Sequence, residues 1–239
     1  MNVRLLVTRP ELDAERTAGA LRVRGHAVIV APLLRIEALQ YAEIGSGPWA
    51  AILVTSANAA SAIMRHPRGA KLKNVPVLAV GEHSAQAMRA AGFAEVISAD
   101  GDGSDLARLA AGRLKRSLPL LYLAGADRYG DIAGDLSARN FTVRIAVIYR
   151  AIAATVLPRA AVEALAGGID GVLHFSRRSA EAYVNAVRGA GLIEAALQKP
   201  RHFCLSAQVA EPLAQAVAAN IRIAPQPNEA ALIELIPVA

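Results

Sequence analysis

Six short turns carry much of the hydroxyl, amide and cationic chemistry available to this chain. Thr8-Arg9, Thr55-Ser56-Ala57-Asn58 and Gly81-Glu82-His83-Ser84 lie in the first half; Gly125-Ala126-Asp127-Arg128, Ser176-Arg177-Arg178-Ser179 and Ser206-Ala207-Gln208 lie further on. Each follows a short apolar run and leads into a segment with helical periodicity. This is the setting in which free helix N–H groups beyond a parallel strand bind anions. The candidate substrate-binding residues are therefore Thr8, Arg9, Ser56, Asn58, Gly81 and Ser84, with Arg128, Ser176, Arg177, Ser179, Ser206, Ala207 and Gln208 in the later turns. A structural reading competes with this one. Thr8 and Glu11 have capping-box spacing, and Ser56, Ser84, Ser176 and Asn228 read as helix N-caps. Caps and anions use the same orphan amides, and the recurrence of these turns in both halves favours a ligand.

Other chemistries are set aside by their missing patterns. No glycine-rich phosphate loop follows a strand, because GSGP (45–48) and GDGS (101–104) read as turns, so no nucleotide cofactor is expected. The five histidines are scattered singly, without metal-ligand spacing, and no G-x-S-x-G elbow is present. Asp100, Asp102 and Asp105 fail the calcium-loop pattern and read as a solvated turn leading to a helix. The one cysteine, Cys204, lies in an apolar run and reads as a small buried hydrophobe rather than a reactive thiol. No metal and no cofactor are expected.

A net charge of +6 and a pI near 9.9 suit an anionic partner. The basic residues are dispersed and no nucleic-acid-binding signature is present, so a polyanionic small molecule fits better than nucleic acid. No apolar run reaches the roughly 18 residues needed to cross a bilayer, and the start MNVRLLVTRP lacks a signal-peptide core. A cytoplasmic protein without membrane contact is expected.

The elements that must position these turns are ten short apolar runs: residues 3–8, 26–32, 50–55, 75–80, 95–98, 118–124, 141–149, 171–176, 202–206 and 221–224. Helical spacing between most of them, such as Ala14, Ala18 and Leu21, predicts an α/β fold with parallel sheets covered on both faces. The chain is also written twice. Residues 5–38 resemble 120–153, and residues 50–63 and 75–92 resemble 171–184 and 201–220, giving the order A, B, A′, B′. Two flavodoxin-like lobes of five strands, facing one another across a cleft, are the expectation. If A pairs with B the lobes are in tandem; if B pairs with A′ one lobe is inserted in the other. The extended stretches PLLRIEAL (32–39) and VIYRAIAA (147–154), able to run side by side as a paired linker, favour insertion.

LLVTRP, ILVTSANAA, VLAVGEHSAQAMRAAGF with the following GDGSDLARLA, LLYLAG, VRIAVIYRA and FSRRSAEAY, in this order, resemble the uroporphyrinogen-III synthase family over nearly the whole chain. The resemblance implies two α/β lobes joined by a two-stranded linker, the second inserted in the first. The corresponding boundaries are 1–36 with 153–239 for one lobe, 40–149 for the inserted lobe, and 37–39 and 150–152 for the linkers. It also implies a cofactor-free cyclisation of hydroxymethylbilane, a linear tetrapyrrole with acetate and propionate arms, with loss of water and inversion of ring D through a spiro intermediate. Tyr149 matches the family's tyrosine in the second linker stretch and becomes the candidate catalytic residue. Ser56 matches the Thr-Ser turn, and Ser84 stands where a threonine is usual in V-G-x-x-T. Two departures stand out: the later copy of that motif reads Ser206-Ala207-Gln208-Val209, and Ala124-Gly125 replaces an Arg-Gly pair. A monomer that transiently contacts the preceding pathway enzyme is implied. The reading from a different class is a two-lobed module that binds an acidic metabolite without chemistry.

Overall fold

The computed structural model describes residues 3–128 and 130–237. In chain order the strands are β1 (Arg4–Val7), β2 (Ala27–Val30), β3 (Leu34–Ala38), β4 (Ala51–Val54), β5 (Val77–Ala79), β6 (Val96–Ser98), β7 (Leu120–Gly125), β8 (Val143–Ala153), β9 (Gly171–His174), β10 (Arg201–Cys204) and β11 (Ile221–Ile223). The helices are α1 (Glu11–Val23), α2 (Asn58–Met64), α3 (Glu82–Ala90), α4 (Gly103–Arg113), α5 (Ile132–Ser137), α6 (Arg159–Ala166), α7 (Arg177–Gly189), α8 (Ala207–Gln215) and α9 (Glu229–Glu234). The chain divides into two compact units, Met1–Arg35 with Ile152–Ala239, and Ile36–Ala151. The ten expected strands are present. The eleventh, β3, comes from the extended stretch that ends A.

Unit 1 holds a parallel sheet in the order β11-β10-β9-β1-β2, and the second sheet runs β3-β8-β7-β4-β5-β6. Numbered within its own unit, the first sheet reads 2-1-3-4-5, the flavodoxin order. The five parallel strands of the second read 5-4-1-2-3. These are one arrangement, because B supplies β4, β5 and β6 where B′ supplies β9, β10 and β11, and A′ supplies β7 and β8 where A supplies β1 and β2. Unit 2 is thus a circular permutant of unit 1, the order that results when B and A′ build one sheet. The sixth strand, β3, runs antiparallel to β8, bracketed by Leu39 N–H to Ile148 O at 2.7 Å and Ala154 N–H to Leu33 O at 2.9 Å.

Strands buried on both faces need apolar side chains at every position, and RLLV, AILV and LLYLAG provide them. In unit 1, Leu6, Val172 and Cys204 pack on one face against Ala180, Tyr183, Val184 and Val187 of α7. The spacing of those four residues, i, i+3, i+4 and i+7, gives α7 its apolar stripe. On the other face Leu5, Val7, Leu173 and Phe203 meet Leu21 of α1 and Leu232 of α9. Unit 2 repeats the scheme. Ile52, Val54, Leu121 and Leu123 pack against α2 and α3, while Leu53, Leu120 and Tyr122 pack against Leu106 of α4 and Leu136 of α5. Cys204 is fully buried and desolvation pushes its thiol up to about 12, which keeps it protonated.

The core of unit 1 contains two histidines that lie 28 residues apart in sequence and come together because β9 and β10 are neighbours. His174 Nε2 lies 3.2 Å from His202 Nδ1, and His202 Nε2 lies 3.3 Å from Leu197 O. A carbonyl only accepts, so His202 carries its proton on Nε2, His174 donates from Nε2, and His174 Nδ1 is a buried acceptor without a partner. Burial lowers both affinities for protons, His174 well below its ordinary value and His202 to about 4. The unfolded chain, titrating near 6.5, therefore binds protons first. Stability is complete above pH 6.5 and falls as the pH drops towards 4, by about 3 kcal/mol for His202 alone. Urea denaturation at pH 7.5, 6 and 5 should show this loss, and His202→Gln should reduce the slope. A wild-type stability that stays level down to pH 5 would contradict the neutral pair.

Candidate active site

In an open parallel sheet the ligand crevice lies beyond the carboxyl ends of the strands, where the winding reverses. In unit 2 that point is between β4 and β7, because the chain builds β5 and β6 on one side of β4 before crossing to β7 and β8. A pocket of about 720 Å³ lies there, lined by the ends of all five parallel strands and by Ile36 of β3. Thr55, Ser56 and Asn58 follow β4, Val80 follows β5, and Gly101 to Ser104 follow β6. Ala126 to Arg128 and Gly130 to Ile132 follow β7, joined by Asp135, and β8 contributes Tyr149 and Ala151.

Tyr149 reaches the pocket through an irregularity in the ladder. Ala124 pairs with Val147, but Gly125 pairs with Tyr149, so β8 carries one extra residue opposite β7. A bulge of this kind turns the following side chain to the other face. Ile148 and Tyr149, though consecutive, accordingly pack in the same core as Leu121 and Leu123. The phenol ring then lies over Gly125. A Cβ at that residue would sit 2.6 Å from Tyr149 Cε2 and 3.0 Å from its hydroxyl, so only glycine permits this approach. The Ala126 N–H to Tyr149 O bond, 2.9 Å, closes the strand pair just beyond.

Around the phenol the hydrogen bonds form a short relay. The Asn58 N–H donates to Ser56 Oγ at 3.2 Å, and the Ser56 side chain hydrogen-bonds the Tyr149 hydroxyl. Tyr149 is 8% exposed, and burial raises its pKa above the ordinary phenol value against the hydrogen bond from Ser56. Tyr122 and the charge of Asp127 push in the same direction as burial. The group is thus a neutral O–H donor at physiological pH. Thr55 Oγ1 and the Tyr122 hydroxyl lie 3.1 Å apart at the adjacent strand ends.

Among the described residues the pocket lining carries four carboxylates, Asp102, Asp127, Asp131 and Asp135, against one guanidinium, Arg128. Two are also caps. Asp102 accepts from the Ser104 and Asp105 N–H groups while Asp105 reaches back to Asp102 N–H, a full capping box on α4 worth about 1 kcal/mol. Asp131 accepts from Gly134 N–H at the start of α5. No group of three or more His, Cys, Asp or Glu side chains among the described residues has the geometry to hold a metal ion.

Of the residues singled out from sequence, Ser56, Asn58, Arg128 and Tyr149 line this pocket, whereas Gly81 and Ser84 do not. Gly81 is the N-cap of α3 and Ser84 lies buried inside that helix, so the expected capping role of Ser84 is wrong. Ser56 precedes the N-cap residue Ala57. Thr8 makes no capping box either, because Pro10 holds the N-cap of α1 and the Thr8 hydroxyl donates to Leu173 O in the core. Arg9 stacks 4.2 Å over the Phe175 ring and faces Asp13 and Glu229. Ser176 caps α7 through Ser179 N–H, as Asn228 caps α9. Arg177 is solvent-exposed and paired with Glu181 and Glu211, while Ser206, Ala207 and Gln208 open α8 without a side-chain cap. Sequence reasoning missed Gly125 and the pocket aspartates as site residues, although Gly125-Ala126-Asp127-Arg128 stood out as a turn.

A family model for uroporphyrinogen-III synthase HemD (HEM4) matches residues 15–234. Among solved structures, the chain is similar to uroporphyrinogen-III synthetase from Helicobacter pylori, at 16% identity and a TM-score of 0.64 over 98% of both chains. A mutant uroporphyrinogen III synthase from the extremely thermophilic bacterium Thermus thermophilus gives 16% identity and a TM-score of 0.47 over 98% of this chain and 96% of that one. No curated protein matches the sequence.

Proposed function

The chain belongs to the uroporphyrinogen-III synthase family, and on that premise we propose that the pocket at the β4/β7 switch point of unit 2 holds the reacting end of its substrate. The reaction is the cyclisation of hydroxymethylbilane to uroporphyrinogen III with loss of water and inversion of ring D, a step of tetrapyrrole biosynthesis. The observation that carries the site assignment is Tyr149, brought by a bulge over Gly125 and held by Ser56 in a pocket otherwise built from strand ends.

In this reading Tyr149 donates a hydrogen bond to the departing hydroxyl of the bilane. The Asn58 N–H polarises Ser56, and Ser56 polarises the phenol, which offsets part of the acidity that burial removes. The phenol retains its proton, since its raised pKa makes it a hydrogen-bond donor rather than an acid that ionises. The hydroxyl takes up a proton from solvent as the carbon–oxygen bond breaks and departs as water, leaving an azafulvene cation. Attack on it by the substituted carbon of ring D gives a spiro intermediate; the older bond from that carbon to its bridging methylene then breaks and re-forms at the free carbon, which loses its proton to give the type III isomer, whereas attack by the free carbon, the course in solution, gives type I. Holding the folded bilane for the first course is the enzyme's main task. Arg128 and the amide end of α3, which begins at Gly81 without a side-chain cap, suit the carboxylate arms. A cytoplasmic monomer, receiving its bilane from the preceding enzyme and needing neither membrane nor nucleic acid, completes this reading.

The protonation state has a direct test. Because burial raises the phenol pKa, any loss of turnover from its ionisation should show an apparent pKa above 10. Initial rates from about pH 7 to 10, on wild type and Tyr149→Phe, check it. A decline with an apparent pKa below 10 in the wild type that vanishes in the variant would show a phenol that ionises more easily than this site permits.

A further inference from the structure

At the switch point of unit 2, two tyrosines reach the end of β4 from opposite faces of the same sheet. Tyr149 packs with Leu121 and Leu123 on the α2/α3 face, and its hydroxyl meets the Ser56 side chain. Tyr122 stands on β7 opposite Leu53 of β4 and packs with Leu106 and Leu136 on the other face, and its hydroxyl lies 3.1 Å from Thr55 Oγ1. Thr55 and Ser56 are consecutive residues just beyond β4, and both line the pocket. The two phenols are near enough for Tyr122 to tighten the hold of Tyr149 on its proton. The Ser56–Tyr149 pair serves the departing hydroxyl; the Thr55–Tyr122 pair has a proton to spare.

Two hydroxyls carry two protons, and the bond between them engages one. Among the described residues neither oxygen has another hydrogen-bond partner. A phenol donates more strongly than an aliphatic hydroxyl and accepts more weakly, because its lone pairs are delocalised into the ring. Tyr122, only 4% exposed and packed in an apolar cluster, therefore gives its proton to Thr55 and is satisfied by that one bond. The unused proton stays on Thr55, which lines the pocket, and a hydroxyl whose oxygen already accepts a bond is a stronger donor. An oxygen leaving carbon gathers electron density and has lone pairs for two donors. Resting on the site assignment above, we propose that Thr55 is a further catalytic residue, donating a second hydrogen bond to the departing hydroxyl beside Tyr149, and that Tyr122 is the positioning residue that fixes and polarises it. The proton that turns the leaving group into water still comes from solvent, and both side chains keep their own. Charge on that oxygen develops as the carbon–oxygen bond breaks. The contact from Thr55 therefore strengthens in the transition state, and its loss falls on turnover rather than on binding.

Thr55→Val keeps the shape and removes the hydroxyl. With hydroxymethylbilane generated in the assay, it should lose about 10- to 10²-fold in kcat at an unchanged KM, and the product that forms should remain type III. Tyr122→Phe should lose about 3- to 10-fold, the worth of one neutral hydrogen bond acting through Thr55. The double variant Thr55→Val/Tyr122→Phe should match Thr55→Val alone within about twofold, a coupling in turnover that a merely structural tyrosine would not show. Thr55→Ser, which retains the donor, should recover most of the lost rate. Thr55→Ala is a second hydroxyl-free variant, and whichever of the two shows a wild-type thermal transition decides the matter. A kcat within about twofold of wild type in that variant overturns the proposal, and so does a raised KM with kcat unchanged, the signature of a residue that binds substrate and transition state alike. Losses that multiply in full in the double variant overturn the role of Tyr122. Tyr149→Phe in the same assay separates the two levels of inference. If it too matches wild type, the site assignment itself fails; if it is impaired while the Thr55 and Tyr122 variants are not, only the second donor fails.

Discussion

Tyr149→Phe should lower turnover by about 10- to 10⁴-fold while leaving the product type III, the span expected for loss of a hydrogen-bond donor or acid at a departing group. The ring stays over Gly125, so the shape of the pocket and the folding of the bilane are kept; only the O–H is lost. Tyr149→Ala goes further, emptying the space between β7 and the pocket, and should reduce both the rate and the share of type III. Measuring initial rate and isomer ratio together on both variants separates donation from positioning. A silent Tyr149→Phe with an impaired Tyr149→Ala would leave the ring as a wall and remove the hydroxyl from the chemistry. Full rate and fidelity in Tyr149→Ala would remove the residue from the site.

Gly125→Ala is expected to lower turnover by about 10²-fold, through Tyr149 rather than through any contact of its own. Its new methyl would lie 2.6 Å from the ring, well inside ordinary carbon contact, so the phenol must shift by about 1 Å, a misplacement that costs roughly this much in rate. A residue acting only through Tyr149 leaves little further to lose once the hydroxyl is gone. The double variant Gly125→Ala/Tyr149→Phe should then be close to Tyr149→Phe alone, and the shortfall from additivity measures the coupling. Wild-type turnover in Gly125→Ala, or full additivity in the double variant, would show that the glycine does not position the ring. Thermal melting of each variant separates these effects from loss of the fold.

The alternation of apolar strands with helices was legible because both faces of each sheet are covered and each strand must be apolar throughout. The swapped pairing of A with B′ was legible only as one of two options, since self-similarity shows that units repeat but not which copies share a sheet. Tyr149 stood out through its motif, but not the reason it reaches the pocket. A one-residue bulge leaves no periodicity signal in a stretch as apolar as VRIAVIY, and Gly125 is explained only by the ring placed over it. Thr8 and Ser84 misled for a common reason: a hydroxyl near a helix start can accept from a helix N–H or donate to a carbonyl elsewhere. Thr8 found the buried Leu173 carbonyl, while α3 begins earlier, at an extended Gly81, than the Ser84 cap required. His174 and His202 meet through the strand order, which single-sequence spacing does not contain.

A fold that holds the bilane for attack through the substituted carbon of ring D is expected to reveal itself in the isomer of the product. Hydroxymethylbilane generated in the presence of this protein, followed by oxidation and chromatographic separation of the porphyrins, should give predominantly type III while a protein-free control gives type I. Predominantly type I porphyrin, in the proportion and at the rate of the control, would contradict the account.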